Sequence, residues 1–148
     1  MNFPAGNLNT IPIFAQSADA CSVGNIRALL AEVAARLEKL DASGETGMID
    51  LNSLPFAPGE YELLRQTLGQ GEVSARIEAI GASEIIETRY PGVWWVTHHN
   101  VEGDIVADMI EIARIPEIIS SQPDDIRAGL ELLRARLNDG LLNEEVQQ

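Results

Sequence analysis

Val73-Ser74-Ala75-Arg76-Ile77-Glu78-Ala79 opens the stretch that decides the fold, and Glu84 to Arg89, Val93 to Asn100 and Ile105 to Ala113 follow it. In the opening segment Val73, Ala75, Ile77 and Ala79 alternate with Ser74, Arg76 and Glu78, a period of two that separates an apolar strand face from a polar one. The links are short and rich in turn residues: Gly81-Ala82-Ser83, Pro91-Gly92, and Asn100 to Asp104. Consecutive strands joined this way predict an antiparallel meander of about four strands.

Upstream the period changes to that of a helix. Ser22 is a good N-cap, and Val23, Ile26, Leu30, Val33, Leu37 and Leu40 form one apolar stripe that Asp41-Ala42-Ser43-Gly44 terminates. The stripe is too short for a coiled-coil seam, so it predicts packing on the sheet. A second helix is expected with Pro58 in its first turn, Glu60 and Glu62 at its positive end, Tyr61, Leu64 and Leu68 on one face, and Gly69 as its stop. A third follows the strands. Ser121 with Asp124 resembles a capping box, Pro123 and Asp125 sit in the first turn, Ile126, Leu130, Leu133 and Leu137 make the stripe, and Gly140 closes it. The expected architecture is α+β, with helices packed on one face of the meander. Residues 1–20, rich in Asn, Pro and small side chains, predict a partly irregular arm whose Thr10-Ile11-Pro12-Ile13-Phe14 docks on a single domain spanning 21–148.

The 148 residues suffice for one compact domain. Their net charge of −13, with Lys39 the single lysine among ten cations, opposes binding to nucleic acid or to anionic lipid. Excess acid also serves plain solubility. No apolar run is long enough for a membrane span, and no cation precedes Arg27 to start a signal peptide. One cysteine, Cys21, excludes an internal disulfide and a thiolate cluster, so a reducing cytoplasmic setting is expected.

The sequence presents no catalytic constellation and predicts neither metal nor cofactor. His98 and His99, adjacent on a strand, point to opposite faces and do not share an ion easily. Cys21 has no histidine nearby in sequence to serve as its base. Glu84 with Glu87, and Asp104 with Asp108, have acid–base spacing, but such pairs arise by chance among twenty-three acids. Gly69-Gln70-Gly71 follows a helix rather than a strand, so it is no dinucleotide fingerprint. Trp94 and Trp95 are the more suggestive pair. Strand alternation puts one indole in the core and leaves the other at the opposite face, either covered or free to anchor a protein partner.

Leu54-Pro55-Phe56, then Leu68-Gly69-Gln70-Gly71-Glu72-Val73, then Glu87-Thr88 and Gly92-Val93-Trp94, together resemble the C-terminal conserved unit of the HupH/HyaF hydrogenase expression proteins. Glu111-Ile112-Ala113-Arg114-Ile115-Pro116-Glu117 and Pro123-Asp124-Asp125 are similar to its close, so the resemblance spans roughly Val23 to Leu137. It implies a non-enzymatic, chaperone-like factor in the maturation of nickel-iron uptake hydrogenase, holding the iron-sulfur small-subunit precursor and meeting other maturation proteins. Within these strings Gly69, Gly71, Gly92 and Pro116 are expected to be backbone devices, and Glu72, Glu87 and Glu111 to satisfy loop amides or contact a partner. Longer relatives carry related halves, which predicts that this single-unit chain forms a homodimer through the meander edge or the Val23–Leu40 stripe. The competing readings are a small-molecule or cofactor-binding α+β domain, marked by an enclosed pocket, and an unrecognised hydrolase.

Overall fold

The computed structural model describes residues 14–139, with side chains from residue 24 onward. Two compact units divide the chain, Met1–Arg114 and Ile115–Gln148. The first holds a five-stranded antiparallel sheet and two helices.

Helix α1 runs from Phe14 to Ser43. It therefore starts upstream of Ser22, inside the stretch expected to be an irregular arm, and the docking expected of residues 10–14 lies largely outside the described residues. Its end is as expected: Gly44, at φ 75°, donates its N–H to Leu40 O at 2.9 Å. The stripe buries Ile26, Val33 and Leu40 and gains Leu29, with Leu30 and Leu37 packed at its border. Helix α2 spans Glu60–Leu68 behind a left-handed Gly59, so Pro58 lies before the helix and not in its first turn. The Glu60 carboxylate turns back to accept the Ala57 N–H at 2.7 Å, which satisfies an amide at the helix entrance. Leu64 and Leu68 are fully buried.

Between the helices lies β1, Gly47–Asp50, a strand beyond the four expected. The meander is β2 (Ser74–Ala79), β3 (Gly81–Glu87), β4 (Val93–His99) and β5 (Ile105–Ile112), in spatial order β1-β5-β4-β3-β2. β3 starts at Gly81 and not at Glu84, because the β2–β3 connection turns tightly on exposed Ile80. Gly81 is at φ 89°, and a Cβ there would stand 2.0 Å from His99 O, so residues 81–83 pair as strand instead of bridging.

Register assigns the faces, since directly opposed residues share one. Trp95 lies opposite Ile86 and Ile110, and Val93 opposite Ile112, on the face that joins α1, α2 and β1 in the main core. Trp94 lies opposite Glu87 and Glu111 on the other face, where Ile85 and Val96 are also buried.

The second unit has a 3-10 turn at Glu117–Ile119, preceded by the buried Pro116, and helix α3, Pro123–Asn138. The capping box expected at Ser121 does not form. Gln122 is the N-cap, no side chain caps it, and its carbonyl accepts the Ile126 N–H at 3.1 Å with Pro123 at the helix start. Ile126, Leu130, Leu133 and Leu137 lie at helical spacing on one face of α3, and among the described residues this unit has no other helix of comparable length to cover them.

Candidate functional site

Four of the stretches that carry the resemblance, around Leu68–Val73, Glu87-Thr88, Gly92–Trp94 and Ala113, are joined by hydrogen bonds. Gly71 donates its N–H to Glu87 O at 2.7 Å, the Glu87 N–H reaches Val73 O at 2.8 Å, and the Arg89 N–H reaches Leu68 O at 2.8 Å. A Cβ on Gly71 would stand 2.5 Å from Thr88 O, which explains a glycine there. The Ala113 N–H binds Gly92 O at 3.0 Å, and the Trp94 indole N–H binds Ala113 O at 3.0 Å. Gly69 ends α2, and Gly92, at φ 87°, turns β3 into β4 beneath Leu37 and Leu40.

A polar hub lies inside the helix-covered core. Asp108, 3% exposed, accepts the Trp95 indole N–H at 2.8 Å and the Thr97 hydroxyl at 2.8 Å on Oδ1, and the Tyr61 hydroxyl at 2.6 Å on Oδ2. Its own backbone carbonyl accepts the Leu51 N–H at 2.9 Å. Tyr61 packs edge-on against both Phe56 and Trp95, and the Arg65 guanidinium stands 4.7 Å from the Trp95 ring centroid. Burial first, and the bond to Asp108 second, push the Tyr61 phenol up to about 12, with Arg65 pulling weakly the other way. The folded state thus keeps a proton that the unfolded phenol loses near pH 10, so this stabilisation is complete below about pH 10 and is lost as pH climbs toward 12. An absorbance titration of folded protein should show one of the two tyrosines ionising late, with the late phase gone in Tyr61→Phe.

Phe56 connects the hub to a groove. Leu54, Pro55 and Phe56 face Ile26, Ala28, Leu29 and Glu32 of α1 across a space of about 270 Å³, with Asn25 and Glu60 at its polar end. Asn25 Nδ2 donates to Glu60 Oε1 at 3.3 Å, tying α1 to the start of α2. Asn25, Ala28, Glu32 and Pro55 are exposed, so the space is an open groove and not an enclosed cavity.

The site residues expected from sequence are not gathered in this groove. Both indoles are buried, each 4% exposed with its N–H bonded, so of the two alternatives for the second indole the structure has the covered one. Glu87, Trp94 and Glu111 form a cross-strand row on the face away from the helices, while Trp95 lies on the opposite face and Glu72 is exposed before β2. His98 Nδ1 meets Ser83 Oγ at 2.7 Å and His99 Nδ1 meets Ala82 O at 3.3 Å, so the imidazoles have separate partners. Among the described residues no group of three or more His, Cys, Asp or Glu is placed to hold a metal ion, and no helix is long and apolar enough to cross a membrane. Asp108 was visible beforehand only as one member of an acid pair. Nothing local marked it, because its donors come from α2 and β4.

The fold and groove define an α+β domain in which α1 and the Leu54-Pro55-Phe56 segment border an open, largely apolar groove. The chain belongs to the HupH family: the model of the HupH hydrogenase expression protein, C-terminal conserved region, matches residues 23–139. It is 29% identical over 131 residues to the hydrogenase expression/formation protein HoxQ of Azotobacter vinelandii, covering 88% of this chain and 41% of that one. It is 34% identical over 94 residues to the hydrogenase expression/formation protein HupH of Rhizobium leguminosarum bv. viciae, covering 62% and 32%. The solved structure of the hydrogenase expression protein HupH from Thiobacillus denitrificans superposes with a TM-score of 0.75 at 43% identity, over 78% of this chain and 97% of that one. The chain spans less than half the length of these curated relatives.

Proposed function

We propose that this chain is a non-catalytic accessory factor in the maturation of nickel-iron uptake hydrogenase, acting in the cytoplasm and holding a segment of the iron-sulfur small-subunit precursor. The observation that carries this reading is the groove between α1 and Leu54-Pro55-Phe56. One wall belongs to a string that carries the resemblance to the family, and its Phe56 packs edge-on against Tyr61, which packs edge-on against Trp95, so the wall is braced from the core. Apolar lining with Asn25 and Glu32 at an open rim suits an extended or helical peptide, whereas a small molecule or cofactor calls for enclosure. The relatives' names, hydrogenase expression/formation proteins, support the setting.

Affinity purification from cells expressing a nickel-iron hydrogenase, with and without the small-subunit gene, tests the reading. The small-subunit precursor should be recovered with the wild-type chain. Ala28→Arg, a change at an exposed groove position, should reduce recovery at least ~10-fold without altering thermal unfolding. Recovery that is absent with the wild type, or unchanged by the substitution, defeats it.

A further inference from the structure

We propose that the segment seated in the groove between α1 and Leu54-Pro55-Phe56 is an apolar peptide stretch carrying one arginine or lysine, whose cation meets the Glu60 carboxylate. This deepens the proposed function and rests on the same groove. Asn25, Ala28, Leu29 and Glu32 stand at helical spacing on one face of α1 and line it, opposite Leu54, Pro55 and Phe56. Among the described residues its lining holds two carboxylates, Glu32 and Glu60, and no arginine or lysine.

Glu60 is the informative one. It is 1% exposed, yet no ion pair among the described residues reaches it. Its two hydrogen bonds come from neutral donors, Asn25 Nδ2 at 3.3 Å on Oε1 and the Ala57 N–H at 2.7 Å on Oε2. A carboxylate has about four acceptor positions, and buried charges are ordinarily paired, so Glu60 has room for a further donor and gains most from a charged one. Glu32 adds negative potential but is partly neutralised, because Arg36 Nε and Nη2 both bind its Oε1, at 3.0 and 2.7 Å.

The neighbouring cations do not compete for that place. Arg27 falls on the far side of α1 by helical spacing, Arg36 is held by Glu32, Lys39 pairs with Glu45 at 3.7 Å, and the Arg65 guanidinium lies over the Trp95 ring. A neutral apolar segment would fill the groove but bury Glu60 further without a counter-charge, which costs binding. An acidic segment would be repelled. A segment with aliphatic side chains on the Ile26, Leu29 and Phe56 lining and one cation at the Asn25–Glu60 end satisfies both the apolar wall and the charge.

Fluorescence polarisation with the full chain tests this on short peptides that tile a hydrogenase small-subunit precursor, together with shuffled peptides of the same composition. Each has a neutral copy in which citrulline replaces arginine and norleucine replaces lysine. The wild-type chain should bind apolar peptides that hold a cation, and their neutral copies at least ~10-fold more weakly. Glu60→Gln keeps an oxygen for the Ala57 N–H and should bring the two close to equal. This ratio compares two peptides on one protein, so it does not depend on how much of the variant is folded. Ala28→Arg should weaken binding of every peptide. Equal binding of cationic and neutral copies by the wild type overturns the proposal, as does a Glu60→Gln chain that keeps the full preference, or a wild-type chain that binds no peptide. Binding indifferent to Ala28→Arg places the contact elsewhere and also overturns it. Capture of cationic shuffled peptides with none from the small subunit would instead remove the small-subunit reading and leave the Glu60 assignment standing.

Discussion

Asp108→Ala is expected to destabilise the protein by about 3 kcal/mol, because it leaves the Trp95 indole N–H and the Thr97 hydroxyl buried without an acceptor. Each such orphan costs roughly 1–3 kcal/mol, and the relief of a buried carboxylate's desolvation offsets part of the sum. The Tyr61 hydroxyl loses its 2.6 Å partner too, but Tyr61 is only partly buried and water can replace the bond. Asp108→Asn separates the hub from mere volume. Its remaining oxygen can keep the Oδ1 bonds, and the Tyr61 hydroxyl can turn to accept from the new amide, so about 1 kcal/mol is expected. Urea unfolding monitored by tryptophan fluorescence gives both values, and equal losses for the two variants would show that Asp108 is filler rather than a hub.

The strands were legible because periodicity and turn chemistry agreed. The β2 alternation, Pro91-Gly92 and the Asn100–Asp104 turn all fall where the meander has them. What failed was chiefly non-local. β1 is a four-residue strand whose reason for extending is β5, with Gly47 paired to Ile112 far along the chain, and no local pattern of that length announces it. Ser22 is a sound N-cap by residue type, yet α1 passes straight through it, since a serine in mid-helix is only mildly unfavourable. At α3 the same bias toward side-chain caps pointed to Ser121, although Pro123 already fixes the start with Gln122 capping through its carbonyl.

The candidate site was less legible than the fold, for a related reason. Leu54-Pro55-Phe56 could be quoted as a string, but its role follows only from α1 lying across it and from Tyr61 bridging Phe56 to Trp95. Asp108 sits among twenty-three acids, and what distinguishes it is three donors arriving from β4 and α2. The glycines of the Leu68–Val73 string could be expected to act through backbone, whereas the Gly71 contact with Thr88 O exists only once α2 and β3 are docked.

The tryptophans provide the second large effect, and it decides between the two alternatives that alternation leaves open. If one indole faced solvent, its removal would touch only binding, but both are 4% exposed on opposite faces of one strand. Trp94→Ala and Trp95→Ala should therefore each cost roughly 3–5 kcal/mol, the range for emptying a large aromatic site in a core. Trp95 should be the costlier of the two. Its loss also strips Asp108 of a donor, removes the ring beneath Arg65 and unbraces Tyr61, whereas Trp94 has one hydrogen bond, to Ala113 O. Trp95→Phe retains a ring for Arg65 and Tyr61 but not the N–H, and should recover part of the loss. With two tryptophans in the chain, each single variant also isolates the fluorescence of the other, which should be blue-shifted in the folded state and move to the red on unfolding. A Trp94→Ala protein that unfolds at the wild-type urea midpoint, or a remaining indole that emits as if in water before denaturant is added, would show that the indole concerned is not packed as a core residue.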